Sequence, residues 1–293
     1  MSIPASPQPT AFDRSGQPDL PGTDLTTALM ELAARLARAA GDLVLEGRPD
    51  RVDVAATKSS PIDVVTEMDL AAEALLRSLL AEHRPDDAIL GEEGAFLPGT
   101  SGLTWVLDPI DGTVNYLYGL PAYAVSVAVV AGGTDPATWT AVAGAVHAVT
   151  DGRTWTAGRG LGAFLDGRRL RVNVARPLAE SLVGTGFAYT RQRRTEQAQV
   201  VARLLPLVRD IRRIGAASLD LCSIATGGLD LYYERGLKPW DLAAGGLVAA
   251  ESGALVTGLH GVPAGEQMVV AGPPESVLGL VAFLEEQRAA SGA

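Results

Sequence analysis

Leu25, Leu29, Leu32, Leu36 and Leu43 fall at helical spacing, so residues 25–46 are predicted to form an amphipathic helix. Asp24 stands where a cap belongs, and Gly47 and Pro49 end the pattern. Thr66-Glu67-Met68-Asp69 has the form of a capping box. Leu70, Ala74, Leu75, Leu79 and Leu80 then continue one helical face to about His83. Beyond it the period changes. Ala88-Ile89-Leu90 and Thr104-Trp105-Val106-Leu107 are short apolar runs that each end at acidic residues. Residues 123–130 and 140–149 are rich in β-branched side chains and read as strands, with Gly132-Gly133 as a turn signal. Further strands are expected at 153–157 and 163–174, with Asp166-Gly167 as a hairpin turn. Helices are expected at 195–209, 216–226, 241–252 and 274–288, and short strands at 229–233, 254–257 and 268–271. Strand runs followed by alternating strand and helix predict layered α/β structure in one domain over residues 24–293. Residues 1–23 carry five prolines and few large apolar groups, and are expected to be a mobile tail.

Composition narrows the function classes. The 293 residues are 47% hydrophobic, too apolar for a disordered chain. Asp and Glu number 34 against 24 Lys and Arg, a net charge of −10, which argues against a nucleic-acid backbone or an anionic lipid surface as partner. The densest basic run, Arg191 to Arg194, reads as a solvated loop, and Arg209, Arg212 and Arg213 follow further on. Cys222 is the single cysteine, so neither an intrachain disulfide nor a thiolate zinc cluster can form. No apolar run approaches the ~18 residues of a membrane span. The first residues have no basic-flanked apolar core. The expectation is a cytoplasmic protein. His147 lies inside an apolar strand and reads as a core residue.

The candidate chemistry lies with the acids. Asp108 follows Trp105-Val106-Leu107, Pro109 interrupts the ladder, and Asp111 follows with Gly112 and Thr113. Two carboxylates and the intervening Ile110 carbonyl on a short rigid turn suit a hard divalent cation. Glu92 and Glu93 end another apolar run, and Asp241 follows Trp240 at a helix start. Each has an ordinary reading alone: a cap for Asp241 and Asp69, a turn for Asp111-Gly112, solvated surface for the Glu pair. Together they suggest carboxylates that would repel one another unless cations screened them.

Gly91-Glu92-Glu93-Gly94, Trp105-Val-Leu-Asp-Pro-Ile-Asp-Gly-Thr113 and Trp240-Asp241 resemble the signature motifs of the inositol monophosphatase family of magnesium-dependent phosphatases. So do Lys58-Ser59-Ser60-Pro61-Ile62-Asp63 with Thr66–Asp69, and Gly215-Ala216-Ala217-Ser218-Leu219-Asp220-Leu221-Cys222. The likeness runs in the expected order from about residue 25 to 285 and is greatest to bacterial members of the actinobacterial type. It implies an αβαβα sandwich of the sugar-phosphatase type, assembled as a homodimer. It further implies Mg²⁺ as cofactor, two to three ions per site with Mn²⁺ as a substitute, and sensitivity to lithium. The implied metal ligands are Glu92, Asp108, the Ile110 carbonyl, Asp111 and Asp241, with Asp69 at a weaker third ion. Glu92 and Thr113 are the implied catalytic pair, orienting and deprotonating a metal-activated water. The implied substrate contacts are Glu92, Ile110, Asp111, Gly112, Thr113, Gly215, Ala216, Ala217, Asp241 and Glu234, the last accepting hydrogen bonds from ring hydroxyls. Lys58 matches a family lysine near the metals and equally suits a solvated loop.

The activity so implied is hydrolysis of myo-inositol monophosphate. Fructose-1,6-bisphosphatase, histidinol-phosphate phosphatase and nucleoside 3′,5′-bisphosphate phosphatase activities share the chemistry, and Arg235 and Lys238 are the cations nearest Glu234 for a second phosphate. A regulatory or RNA-associated role on the same fold, through the basic 191–213 region, is the rival of a different class.

Overall fold

The first apolar period becomes α1 (Thr23–Glu46), which buries Leu29, Leu32, Leu36, Ala40 and Val44 along one stripe. Its cap is Gly22, and Asp24 lies inside the first turn. The structure is a computed structural model and describes residues 20–58 and 60–291. Residues 1–19 of the expected tail, and Ser59, lie outside the described residues.

A two-strand hairpin, β1 (Ala56–Thr57) and β2 (Val64–Val65), leads into α2 (Glu67–His83). Then come β3 (Ala88–Gly91), β4 (Leu103–Asp111), the short α3 (Thr113–Tyr118), β5 (Ala124–Ala131), β6 (Thr140–Ala148), β7 (Thr154–Gly158), β8 (Gly162–Leu165) and β9 (Arg168–Arg169). The second half holds β10 (Leu182–Thr185), α4 (Arg191–Leu204), β11 (Asp210–Arg212), α5 (Ala217–Thr226), β12 (Leu231–Glu234), α6 (Pro239–Glu251), β13 (Leu255–Thr257), β14 (Val269–Gly272) and α7 (Pro274–Ser291).

The strands form a seven-stranded sheet in the order β3-β4-β5-β6-β7-β8-β9 and a five-stranded sheet in the order β11-β10-β12-β14-β13. Side chains alternate across each strand, so each sheet packs on both faces. In β5, Val125, Val127 and Val129 pack with α1 and α2, while Ala124, Ala128 and Val130 face α5 and α6. In β12, Tyr232 turns toward α5 and α6, and Leu231 and Tyr233 toward α4 and α7. The result is five layers, helix–sheet–helix–sheet–helix, as expected. β5, buried along all eight residues, reads as a continuous apolar run because both faces are covered. Asp166 and Gly167 both take positive φ and close the β8–β9 hairpin, as expected.

Several expectations needed correction. α2 exists where predicted, and Thr66 caps it in a capping box with Asp69. Its buried face, however, is Asp69, Ala72, Glu73, Leu76 and Leu80, while Leu70 and Ala74 are exposed. Two of the inward positions are carboxylates, which hid the stripe from an apolar count. α4 starts at Arg191 and ends at Leu204, followed by a 3₁₀ turn at Leu205–Leu207, so the basic run opens a helix rather than filling a loop. The short strands β1, β2, β10 and β11 were not expected. Nothing beyond Arg169 extends the strand predicted to reach 174. Among the described residues, no helix is long and apolar enough to cross a membrane.

Candidate active site

Three elements of the middle layers end at one cleft, and a defect in β4 aims its acids. Asp108 pairs with Ser126 and Asp111 with Ala124, so three steps along β4 match two along β5. In an unbroken strand, residues three apart point to opposite faces. The additional residue is a β-bulge that returns both carboxylates to one side. Pro109, with no N–H to give a ladder, sits within it. Gly112 then turns the chain into α3 at φ +93°, and a Cβ there would stand 2.9 Å from the Ala122 carbonyl.

Asp111 reaches the start of α5, where the Ser218 N–H donates to it at 2.7 Å and the Ala217 N–H at 3.2 Å, with the Ser218 hydroxyl as a third donor. Asp241 lies in the first turn of α6 and accepts the Lys238 N–H at 2.6 Å. Both helix starts favour negative charge. Asp108, Asp111 and Asp241 bring carboxylate oxygens within 4.8 Å of one another. At an effective dielectric near 20, two full charges 4.8 Å apart repel by roughly 3.5 kcal/mol. Burial and this mutual repulsion push Asp108 and Asp241 well above the usual carboxylate range. Burial lifts Asp111 to about 6 against the pull of its Ser218 donors.

Glu92, at the end of β3, adjoins this trio. Burial raises its carboxyl, opposed by Lys58, and it shares a hydrogen bond with Asp108. Lys58, from the β1–β2 hairpin, bridges Glu92 and Glu93 at 2.6 Å each. It is therefore part of the acidic site and not a solvated loop lysine. Beneath the loop lies Glu73, 2% exposed, accepting the Glu93 N–H at 2.8 Å and pairing with Arg77 at 2.7 Å. The Thr113 hydroxyl lies 3.0 Å from the Ile110 carbonyl and 3.2 Å from Asp69 Oδ1. Its partners among the described residues are thus Asp69 and Ile110, with no bond to Glu92. Asp69 is in turn held by the Thr66 N–H and hydroxyl.

The cleft encloses about 630 Å³. Glu92, Asp108, Ile110, Asp111, Gly112, Thr113, Gly215, Ala216, Ala217, Glu234 and Asp241 all line it, whereas Asp69 stands behind Thr113. Glu234 faces the cleft from β12, two residues after Tyr232, whose hydroxyl donates to it at 2.7 Å. Burial lifts Glu234 to about 7. Its carboxylate lies over Gly186, where a Cβ would stand 2.0 Å away. Of the residues absent from the predicted set, Ser218 was within a quoted motif. Glu73 had only the signal of an acid four residues before Arg77.

A divalent cation fits this donor set. The ligating atoms are all hard oxygens, and three carboxylates converge within 4.8 Å. Glu73→Gln should lower divalent-cation affinity by about 10- to 100-fold, because it loosens the loop that aims Glu92. Calorimetric Mg²⁺ titration reads this directly, and unchanged affinity would mean that the loop keeps its own shape.

Comparison with known proteins agrees with this geometry. The sequence profile of the inositol monophosphatase family matches residues 26–287. An inositol-1-monophosphatase of Mycobacterium leprae is 49% identical over 239 residues, covering 78% of this chain and 80% of the relative. The Nus factor SuhB of Escherichia coli is 37% identical, covering 88% and 96%. Among solved structures, Mycobacterium tuberculosis SuhB superposes with a TM-score of 0.75 at 43% identity, covering 89% of this chain and 97% of that one. The profile match and the convergence of the quoted motifs in one cleft carry the same conclusion: this chain belongs to the inositol monophosphatase family.

Proposed function

We propose that the protein hydrolyses myo-inositol monophosphate to inositol and inorganic phosphate, with Mg²⁺ held by Glu92, Asp108, the Ile110 carbonyl, Asp111 and Asp241. The observation that carries this reading is the meeting of Asp108, Asp111 and Asp241. A phosphate monoester brings two negative charges, so these acids alone would repel it. When bound, the ions screen the carboxylates and supply Lewis acidity toward the phosphoryl group.

The chain's own residues do the rest. Asp69 holds the Thr113 hydroxyl at the mouth of the bulge. There Thr113 and Glu92 orient the attacking water and accept its proton. Water oxygen bonds to phosphorus as the bond to the inositol oxygen breaks, and that oxygen takes up a proton from solvent water, which balances the one given up to the protein. Gly112, without a Cβ to meet the Ala122 and Gly215 carbonyls, carries the chain through its left-handed turn so that its backbone lines the cleft beside the phosphate. Glu234 accepts hydrogen bonds from ring hydroxyls, its orientation set by Tyr232.

Phosphate release from inositol 1-phosphate, fructose 1,6-bisphosphate, histidinol phosphate and adenosine 3′,5′-bisphosphate tests the assignment. Inositol 1-phosphate should lead in kcat/KM by at least about tenfold, or 1.4 kcal/mol. A smaller margin would defeat the substrate assignment while leaving the phosphatase.

A further inference from the structure

A second cavity, of about 400 Å³, lies between the end of α1, residues 49–55 and the first turn of α2, with Tyr116 of α3 in its wall. It shares no lining residue with the acidic cleft. Its walls are mostly apolar, built by Pro49, Val52, Val54, Ala55 and Met68. Val52 and Met68 also pack on the core beneath α1, which fixes that side of the cavity. Gly47, where α1 ends, has no Cβ to meet the Met68 methyl, so the helix end closes directly on it. The charged residues of the lining, Arg51, Asp53 and Glu67, are exposed, and Arg51 pairs with Asp53 at 3.8 Å. The cavity therefore holds no unpaired cation that would select an anion.

Tyr116 supplies the polar group. It is 0% exposed, and among the described residues its hydroxyl has no hydrogen-bond partner. Its ring is held by its neighbours: Tyr123 meets it edge-on with centroids 5.3 Å apart, and the Arg48 guanidinium lies 5.4 Å from its centroid. A buried hydroxyl without a partner is costly, and native proteins leave few of them. In the wall of an apolar cavity, an acceptor on a bound molecule removes that cost. The same wall reaches the catalytic side. Thr66 lines the cavity, and its N–H and hydroxyl both hold Asp69, whose Oδ1 lies 3.2 Å from the Thr113 hydroxyl. Tyr116 itself stands one helical turn after Thr113 on α3. One hydrogen-bond chain and one short helix thus link the cavity to Thr113.

We propose that this cavity is an effector site for a small, uncharged, largely apolar molecule with one hydrogen-bond acceptor, such as a ring ketone, which the Tyr116 hydroxyl binds. The occupant braces Thr66 and Tyr116, and through them the Thr113 hydroxyl. The site is independent of how the acidic cleft is read; only its effect on turnover rests on the phosphatase reading.

Cyclohexanone and methylenecyclohexane share a ring shape, but only the first carries an acceptor, so the pair isolates the hydroxyl. Binding to the full-length protein would be followed by the methyl NMR signal of Met68, one of four methionines, assigned by its loss in Met68→Leu. Cyclohexanone should shift that signal saturably. Tyr116→Phe should weaken cyclohexanone relative to methylenecyclohexane by about twofold or more, the worth of one neutral hydrogen bond. It should keep or raise Tm, because it removes a group that has no partner. Saturating cyclohexanone should raise kcat for the best of the four phosphate esters by about twofold or more, with its half-effect at the Kd read from Met68. No saturable shift, or equal weakening of both probes in Tyr116→Phe, would overturn the site. A lower Tm for that variant would do so too, since the hydroxyl would then already be engaged. Unchanged or lower kcat at saturation would overturn the effector role. Should no ester be hydrolysed while the Met68 and Tyr116→Phe results hold, the site stands and the phosphatase reading falls.

Discussion

Asp108→Asn should abolish phosphate release and at the same time stabilise the metal-free protein. The Asp108 carboxylate lies between Glu92, with which it shares a hydrogen bond, and Asp111 and Asp241. Losing its charge removes a principal ligand from the cation site, and kcat should fall by about 10³-fold or more, at least the loss seen when one preorganised electrostatic contact is deleted. Without cations the same change relieves like-charge repulsion. The amide keeps the shape and hydrogen-bonding capacity of the site, so the metal-free variant should gain about 1–3 kcal/mol, a rise of several degrees in Tm. Thermal unfolding in chelator, beside phosphate release in Mg²⁺, reads both halves. A metal-free variant less stable than wild type would show that the aspartate is held by contacts rather than crowded by charge. Retained hydrolysis would remove the cation site from the mechanism.

The second large effect is the response of stability to Mg²⁺ and pH. An unfolded Asp titrates near 4. In the metal-free fold Asp111 is pushed up to about 6, and Asp108 and Asp241 are held well above the usual carboxylate range, because burial and neighbouring carboxylates disfavour their charge. Between about pH 4 and these folded values the native state holds protons that the unfolded chain has released, so metal-free stability should fall as pH rises through that window. Mg²⁺ competes with those protons, and its effect should run the other way. At pH 8 and 100-fold above Kd, binding should add about 2.7 kcal/mol. At pH 5, where protons fill the site, the gain should be much smaller. Scanning calorimetry with chelator or Mg²⁺ at both pH values decides it. A larger Mg²⁺ shift at pH 5, or none at pH 8, would refute the account.

Much of the fold was legible because long elements repeat their period. α1 shows three or more turns of apolar stripe, and β5 and β6 are long β-branched runs buried on both faces. α2 shows where such reading fails. Its capping box placed the start, yet its inward face carries Asp69 and Glu73, and both answer to the site rather than the core. β10 and β11 were missed because four and three residues, more than half of them polar or glycine, carry no period. The helix expected at 195–209 was placed four residues late because its first turn is basic, and its stability comes from Leu204 and its neighbours packing against the second sheet. For the site, the identities of Glu92, Asp108, Asp111 and Asp241 were visible through their motifs. Their meeting depends on pairings across more than a hundred residues, as between Asp111 and Ser218, and spacing along one segment contains none of that. The Lys58 bridge and the Thr113–Asp69 contact were likewise matters of three-dimensional neighbourhood.

The odd residue in β4 bears on how this enzyme class can change. A shorter segment between Asp108 and Asp111 would give a tidier ladder against β5, and a design procedure that rewards regular geometry would favour it. The same deletion would swing one carboxylate through the sheet into the layer packed on α1. Parity therefore guards the length of this segment more strictly than chemistry guards the residue inside it: drift can exchange side chains at that point, but it cannot change their number by one.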